Sequence, residues 1–316
     1  MDLINEGSIN NFKHNTYIAL GSFDGLHLGH SKLVNKAIEL ANKNNGKSMV
    51  YTFKNHPLSI INKELVPKLL MDMDQKGKVL NNMGLDYLTL VEFDENFMKL
   101  SPEDFIANIV KKYNAKSIIV GFNYRFGYKN LGDVEFLKEL SKKYKFKLYV
   151  IKPVKFKKEI VSSSHIRHII ADTCDIEKAT SMLTRPYSIY GKVIKGKQLG
   201  RVLGFPTVNL DYNKEYLIPR GGVYFTIVEY SGLYYKGVTN VGYNPTVEDG
   251  KLSIETHILD FNKDVYGEEL RIHFIHRIRD EKKFNSLDEL ALRVSEDKKY
   301  VIKQNLELII KSNLQL

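Results

Sequence analysis

A chain of 316 residues, 43% of them apolar, is long enough for two compact cores, because single cores stop growing at about 250 to 300 residues. Its one cysteine, Cys174, excludes a disulfide framework and a cysteine-rich zinc site, and residues 1–6 lack a basic stretch leading into an apolar one, so a cytoplasmic chain that does not enter membranes is expected. The net charge of +10 favours anionic ligands, but the lysines are dispersed, which reads as a solvated surface rather than a nucleic-acid interface.

The first half alternates short apolar runs with helical spacing. Strands are predicted at 16–20, 48–53, 86–91, 116–121 and 146–151, and helices at 30–44, 72–83, 101–113 and 132–144. Such alternation predicts an α/β domain with a doubly wound parallel sheet, whose ligands gather at the carboxyl ends of strands. At the end of the first predicted strand stands Gly21-Ser22-Phe23-Asp24-Gly25-Leu26-His27-Leu28-Gly29-His30, a glycine-bearing turn opening a helix. A helix start offers backbone N–H groups and a favourable dipole to an anion, and His27 and His30 add donors. No Gly-x-x-x-x-Gly-Lys-Ser/Thr occurs, so this is not a P-loop.

Two further strand ends, Thr52-Phe53-Lys54-Asn55-His56-Pro57 and Val120-Gly121-Phe122-Asn123-Tyr124-Arg125-Phe126-Gly127, combine aromatic rings with hydrogen-bonding groups, as a flat heteroaromatic ligand requires. Ser163-Ser164-His165-Ile166-Arg167 then opens a predicted helix at 164–171, followed by another at 175–183; two hydroxyls and a guanidinium suit a triphosphate tail.

Near Tyr187 the period changes. Strands are predicted at 187–195, 222–230, 233–241, 253–260 and 268–277, with a closing helical pattern over 286–312, which predicts a small antiparallel β-barrel capped by a helix. The stretch Gly196-Lys197-Gln198-Leu199-Gly200-Arg201-Val202-Leu203-Gly204-Phe205-Pro206-Thr207-Val208-Asn209 lets backbone approach phosphates, while Thr207 and Asn209 are hard oxygen donors of the kind Mg²⁺ accepts alongside ATP. Alternation along 253–258 puts Ser253, Glu255 and His257 on one face and Ile254, Thr256 and Ile258 on the other. A carboxylate there can take a proton from a substrate hydroxyl, as a kinase needs.

Taken in order, Gly-Ser-Phe-Asp-Gly-x-His-x-Gly-His, Thr-Phe-x-x-His-Pro, Val-Gly-x-Asn-x-x-Phe-Gly and Ser-Ser-x-Ile-Arg resemble the FMN adenylyltransferase module of prokaryotic bifunctional riboflavin kinase/FAD synthetases. The glycine-rich stretch, Asn244-Pro245-Thr246 and Glu255-Thr256-His257-Ile258-Leu259-Asp260-Phe261 resemble a riboflavin kinase domain. Asn55 stands where that family usually has proline, which predicts a looser turn, and Ser164 replaces a threonine.

The resemblance implies an adenylyltransferase over 1–183 and a kinase over 184–316, using riboflavin, FMN, FAD and ATP with Mg²⁺. It implies catalytic roles for His27, His30, Arg167 and Glu255. ATP contacts are implied at Gly21, Phe23, Asp24, Gly29, Ser163, Ser164, Gly196, Gly200, Arg201, Gly204, Pro206, Thr207 and Asn209, the last two also at the metal. Flavin contacts are implied at Phe53, His56, Pro57, Asn123, Phe126, Tyr243, Asn244 and Arg279. A chain with only one working module, and a flavin-responsive RNA-binding regulator, are the competing readings; oligomeric state is open.

Overall fold

The computed structural model describes residues 1–5, 12–196, 200, 204–243 and 252–314. The chain forms two compact units: 1–67 with 73–162, and 68–72 with 163–316.

In the first unit the elements run β1 (Asp2–Asn5), β2 (Thr16–Leu20), α1 (Leu28–Lys43), β3 (Lys47–Phe53), α2 (Leu58–Ile61), α3 (Met73–Asn82), β4 (Tyr87–Val91), α4 (Glu95–Met98), α5 (Pro102–Tyr113), β5 (Ala115–Gly121), α6 (Val134–Lys143) and β6 (Lys147–Ile151), then the hairpin β7 (Lys155–Phe156) and β8 (Glu159–Ile160). The first six strands form one sheet in the order β1-β4-β3-β2-β5-β6, parallel throughout. Strand β2 is buried along its whole length, as a parallel strand covered on both faces must be. Helix α1 packs across β2, β3 and β5, while Phe105, Ile106, Ile109 and Tyr113 of α5 and Leu137 and Leu140 of α6 join Ile18, Leu20, Met49, Ile118 and Val120 in a shared core. Strand order reverses at β2, between β3 and β5. The crevice that a doubly wound sheet opens at its switch point therefore lies at the end of β2. The strand prediction omitted β1, four residues too short to register as a pattern.

The second unit holds α7 (Ser163–His168), α8 (Ile176–Leu183), β9 (Tyr187–Ile194), β10 (Val208–Tyr212), β11 (Gly222–Tyr230), β12 (Leu233–Tyr243), β13 (Leu252–Ile258), β14 (Glu269–Arg279), α9 (Leu287–Ile302) and α10 (Leu306–Ile309). Its six strands close into an antiparallel barrel in the order β10-β13-β12-β11-β14-β9. Strand β10 went unpredicted because Val208-Asn209-Leu210-Asp211-Tyr212 alternates without a β-rich run before it. Three fully buried threonines, Thr226, Thr239 and Thr256, chain their hydroxyls across adjacent strands at 2.7 and 2.8 Å, satisfying every polar group they bring inside. Outside, Val223, Phe225, Ile227 and Val238 pack with Val301 of α9. Ser286 caps that helix by accepting from the Glu289 N–H at 3.1 Å, and Arg279 grips the 2%-exposed Asp297 through Nε and Nη2.

Residues 68–72 belong to this second unit although they fall within the first half of the sequence. Leu69 bridges Tyr216, and Asp72 accepts from Arg271 at 2.8 Å and from the Tyr216 hydroxyl at 2.6 Å. Burial and the Asp72 carboxylate push the Tyr216 hydroxyl well above its usual pKa, so it remains a donor. The Arg271 side chain is 7% exposed, so removing Asp72 strands a buried cation. Asp72→Ala is expected to destabilise the barrel unit by about 3 kcal/mol, and Asp72→Leu with Arg271→Met to recover most of it. Urea denaturation followed through riboflavin phosphorylation measures both.

Candidate active sites

In the first unit, β2 leaves the sheet into a turn where Phe23, Gly25 and Leu26 have φ of +49°, +80° and +40°. Two of these are not glycine, so the turn holds strain of about 1 to 2 kcal/mol per residue that its surroundings must enforce. The Ser22 carbonyl accepts from Thr52 Oγ1 at 3.0 Å and from Lys76 Nζ at 3.1 Å. His27 then caps α1: its Nδ1 accepts from the Gly29 and His30 N–H groups at 3.1 and 3.3 Å.

The cap revises one expectation. Two of the helix-start N–H groups foreseen as anion donors are already taken by His27, and a third, on Ser31, donates to the His27 carbonyl. What the cap supplies instead is a fixed tautomer. An Nδ1 that accepts two hydrogen bonds carries no proton, so the neutral ring holds it on Nε2. The two imidazoles stack, centroids 3.7 Å apart and 15° from parallel, and the Phe23 ring lies 5.3 Å from that of His30. Gly29 permits the stack, since a Cβ there would come within 3.0 Å of the His27 ring. Gly21, likewise, faces the Phe23 ring, and Asp24 is buried at 8% exposure.

Strands β3 and β5 flank β2, so the two aromatic motifs end beside this turn. Phe53 is half-buried, edge-on to Phe93 and Phe97. His56 Nδ1 accepts from the Leu58 N–H at 3.1 Å just beyond Pro57, and Asn123 is exposed. Phe126 lies deeper than a pocket lining would: it is 5% exposed, packs on Tyr124 and Phe105, and belongs to the core. Asn55 does not loosen its turn. Its amide donates to the Phe93 carbonyl at 2.9 Å and accepts from the Phe93 N–H at 2.8 Å, replacing proline's rigidity with a two-sided tie.

Ser163, Ser164 and Arg167 open α7 in the second unit, where Arg167 Nε donates to the Lys68 carbonyl at 2.7 Å.

On the barrel's outer wall, strand register puts Glu255 of β13 directly between Asn209 of β10 and Asn240 of β12. Opposed residues in an antiparallel pair have Cβ atoms about 5 Å apart, so an acid and two amides form one row. The inward face is Ile254, Thr256 and Ile258, in agreement with the alternation. Asn209 reaches over Gly196, where a Cβ would lie 2.1 Å from its Nδ2. Gly200 turns the loop back, its carbonyl accepting from the Phe205 N–H at 2.7 Å, and a Cβ there would meet the Phe205 carbonyl at 2.4 Å and Thr207 Oγ1 at 3.4 Å. Gly204 has φ +79°. Gly200 is thus required by close approach to backbone and Gly204 by its backbone conformation, while Gly196 leaves the space that the Asn209 amide occupies.

His257, two residues beyond Glu255, shares its 2.9 Å hydrogen bond with the Pro206 carbonyl and stands edge-on to Phe205. Burial lowers its pKa, which keeps the ring neutral and its Nδ1 a donor. Asn240, beside Glu255, was not assigned a role from sequence; the register between β12 and β13 is what reveals it. Beside Thr207 lies a cleft of about 520 Å³ walled by Val193, Pro206, Ile258, Phe261 and Tyr266. Arg279, expected near flavin, has its guanidinium committed to Asp297 and the Asp280 carbonyl. Arg201, Asn244 and the Tyr243 side chain lie outside the described residues. Among the described residues no group of three or more His, Cys, Asp or Glu side chains could hold a metal, and no helix is long and apolar enough to cross a membrane.

Residues 9–165 match the family model for FAD synthetase and residues 183–304 that for riboflavin kinase. A bifunctional riboflavin kinase/FMN adenylyltransferase of Buchnera aphidicola subsp. Schizaphis graminum is 34% identical over 90% of this chain and 92% of its own. One from Bacillus subtilis is 34% identical over 90% and 91%. A solved structure described as a macrolide-efflux protein from Streptococcus pneumoniae superposes with a TM-score of 0.86 at 30% identity, covering 96% of this chain and all of that one. With both family models matched in sequence and relatives aligned over nine-tenths of its length, the chain belongs to the bifunctional riboflavin kinase/FMN adenylyltransferases.

Proposed function

We propose that the chain divides its two reactions between residues 1–183, which transfer the adenylyl group of ATP to FMN, and residues 184–316, which phosphorylate riboflavin. In the first reaction an FMN phosphate oxygen attacks the α-phosphorus of ATP and pyrophosphate leaves. The nucleophile is already an anion, so the demand is for orientation and charge stabilisation rather than a strong base. The observation that carries this reading is the capped His27: its only proton is on Nε2, away from the helix, where it can donate to an oxygen of the α-phosphate. His30, stacked on it, acts on the same group. Gly21, Phe23, Asp24 and Gly29 shape the turn. Ser163, Ser164 and Arg167 are assigned to the β- and γ-phosphates, and Phe53, His56, Pro57, Asn123 and Phe126 to the flavin side, Phe126 as the core support beneath it.

In the second reaction Glu255 takes the proton of the ribityl hydroxyl as its oxygen attacks the γ-phosphorus. The flanking Asn209 and Asn240 hold the carboxylate in place. The cradle over Gly196 and Gly200 accommodates phosphate and brings Thr207 and Asn209 together, and the cleft beside Thr207 has room for the adenosine of ATP. The two neutral oxygen donors Thr207 and Asn209 fit a Mg²⁺ that arrives with its nucleotide and keeps phosphate and water ligands. When bound, that ion offsets the charge on the transferring phosphoryl group. Gly204, Pro206 and Arg201 are assigned to the ATP loop, and Tyr243 and Asn244 to flavin, with Arg279 bracing α9 through Asp297 instead. A cytoplasmic location accords with these substrates.

Three substitutions test the assignment. His30→Ala is expected to slow FAD formation from FMN by about 10² to 10³, equivalent to about 3 to 4 kcal/mol, with riboflavin phosphorylation unchanged. Glu255→Gln is expected to do the reverse, cutting FMN formation by about 10² while supplied FMN is still converted to FAD. Gly196→Ala displaces the Asn209 amide and is expected to cost the kinase about 10² in rate with FAD formation intact. Chromatographic resolution of FMN and FAD over time reads all three, and a wild-type rate in any of them removes the role given to that residue.

A further inference from the structure

Helix α3 carries a lysine where its packing face calls for an apolar residue. Lys76 is 6% exposed and lies one helical turn before the fully buried Leu80. An ammonium group so placed costs several kcal/mol unless paired. Its partners are all in the strained turn: Nζ donates to the Ser22 carbonyl at 3.1 Å, and the charge faces the carboxylate of the 8%-exposed Asp24. Burial nevertheless lowers its pKa to about 8, with Asp24 opposing the shift.

The turn it grips is followed by the histidine stack. Ser22 and Asp24 flank Phe23, whose left-handed backbone aims its ring at His30, and His30 lies on His27. Asp24 also puts a buried carboxylate in the turn that leads into His27 and His30, assigned to the α-phosphate, where it repels that phosphate unless neutralised. We infer that Lys76 is a positioning residue for adenylyl transfer, clamping the Ser22–Asp24 turn so that the histidine pair meets the α-phosphate and cancelling the Asp24 charge that would oppose it. The inference rests on the assignment of this turn to that reaction.

The test uses the full chain, ATP and FMN. Lys76→Met keeps the volume but removes both donor and charge. It is expected to lower kcat for FAD formation by about 10² with KM for FMN within about threefold and riboflavin phosphorylation within about twofold. Lys76→Gln, neutral and shorter, carries the same expectation should Lys76→Met not fold. Leu80→Ala, on the same helix face, separates fold from chemistry: it should lower the melting temperature yet leave kcat per folded molecule near wild type. Because Lys76 acts through Asp24, the losses in Lys76→Met and Asp24→Asn should not add in the double variant. A wild-type kcat in both Lys76 variants, a loss confined to melting temperature, or additive losses overturns the inference. His30→Ala measured in parallel distinguishes the outcomes: full FAD synthesis there removes the site assignment itself, whereas its loss beside an unaffected Lys76→Met removes only the role of Lys76.

Discussion

The His27 side chain closing the first turn of α1 is the interaction on which the first site depends. A helix start has N–H groups that must find acceptors, and in many phosphate sites the ligand itself is the acceptor. Here a ring nitrogen takes two of them, which leaves less of the helix terminus for the substrate but decides where the imidazole carries its proton. A side-chain cap contributes about 1 kcal/mol to a helix, so the arrangement that orders the His27 ring also favours the fold. Gly29 leaves room for the ring to fold back, since a Cβ there would press on it at 3.0 Å, and Phe23, held with positive φ, lies against His30.

That local geometry would have no consequence elsewhere in the sheet. Strand β2 is the point where strand order reverses, and the aromatic motifs ending β3 and β5 come up on either side of its end. The barrel reaches its site by other means. Its interior is closed by packed side chains and the threonine hydroxyl chain, and on the outer wall register alone sets Glu255 between two amides. In both units the candidate site residues sit at the ends or on the faces of buried elements, with loops supplying close backbone approach.

Much of this was legible in the sequence. Strand–helix alternation announced a doubly wound sheet, the change of period near Tyr187 announced the barrel, and 222–230 agrees with β11 to the residue. Local patterns suffice there because apolar periodicity and turn residues act over a few positions. The motifs carrying His27, His30, Thr207, Asn209 and Glu255 were equally visible, since close backbone approach requires glycine and the chemistry requires particular side chains.

What sequence could not determine depended on partners distant along the chain. Whether a histidine donates or caps is settled by which N–H groups lie beside it, and whether Phe126 lines a site or fills a core depends on Phe105 and Tyr124 around it. Asn55 reads as a lost proline until Phe93, 38 residues on, ties it through both its carbonyl and its N–H. Lys76 reads as one of many dispersed surface lysines, and Asp72 as the first residue of a helix, until the fold buries one against the Ser22 carbonyl and sets the other on Arg271. The sequence by itself determined the elements and the chemical types at the sites; charge pairing, tautomer and register were decided by tertiary structure, because each is a property of two segments and is written in neither alone.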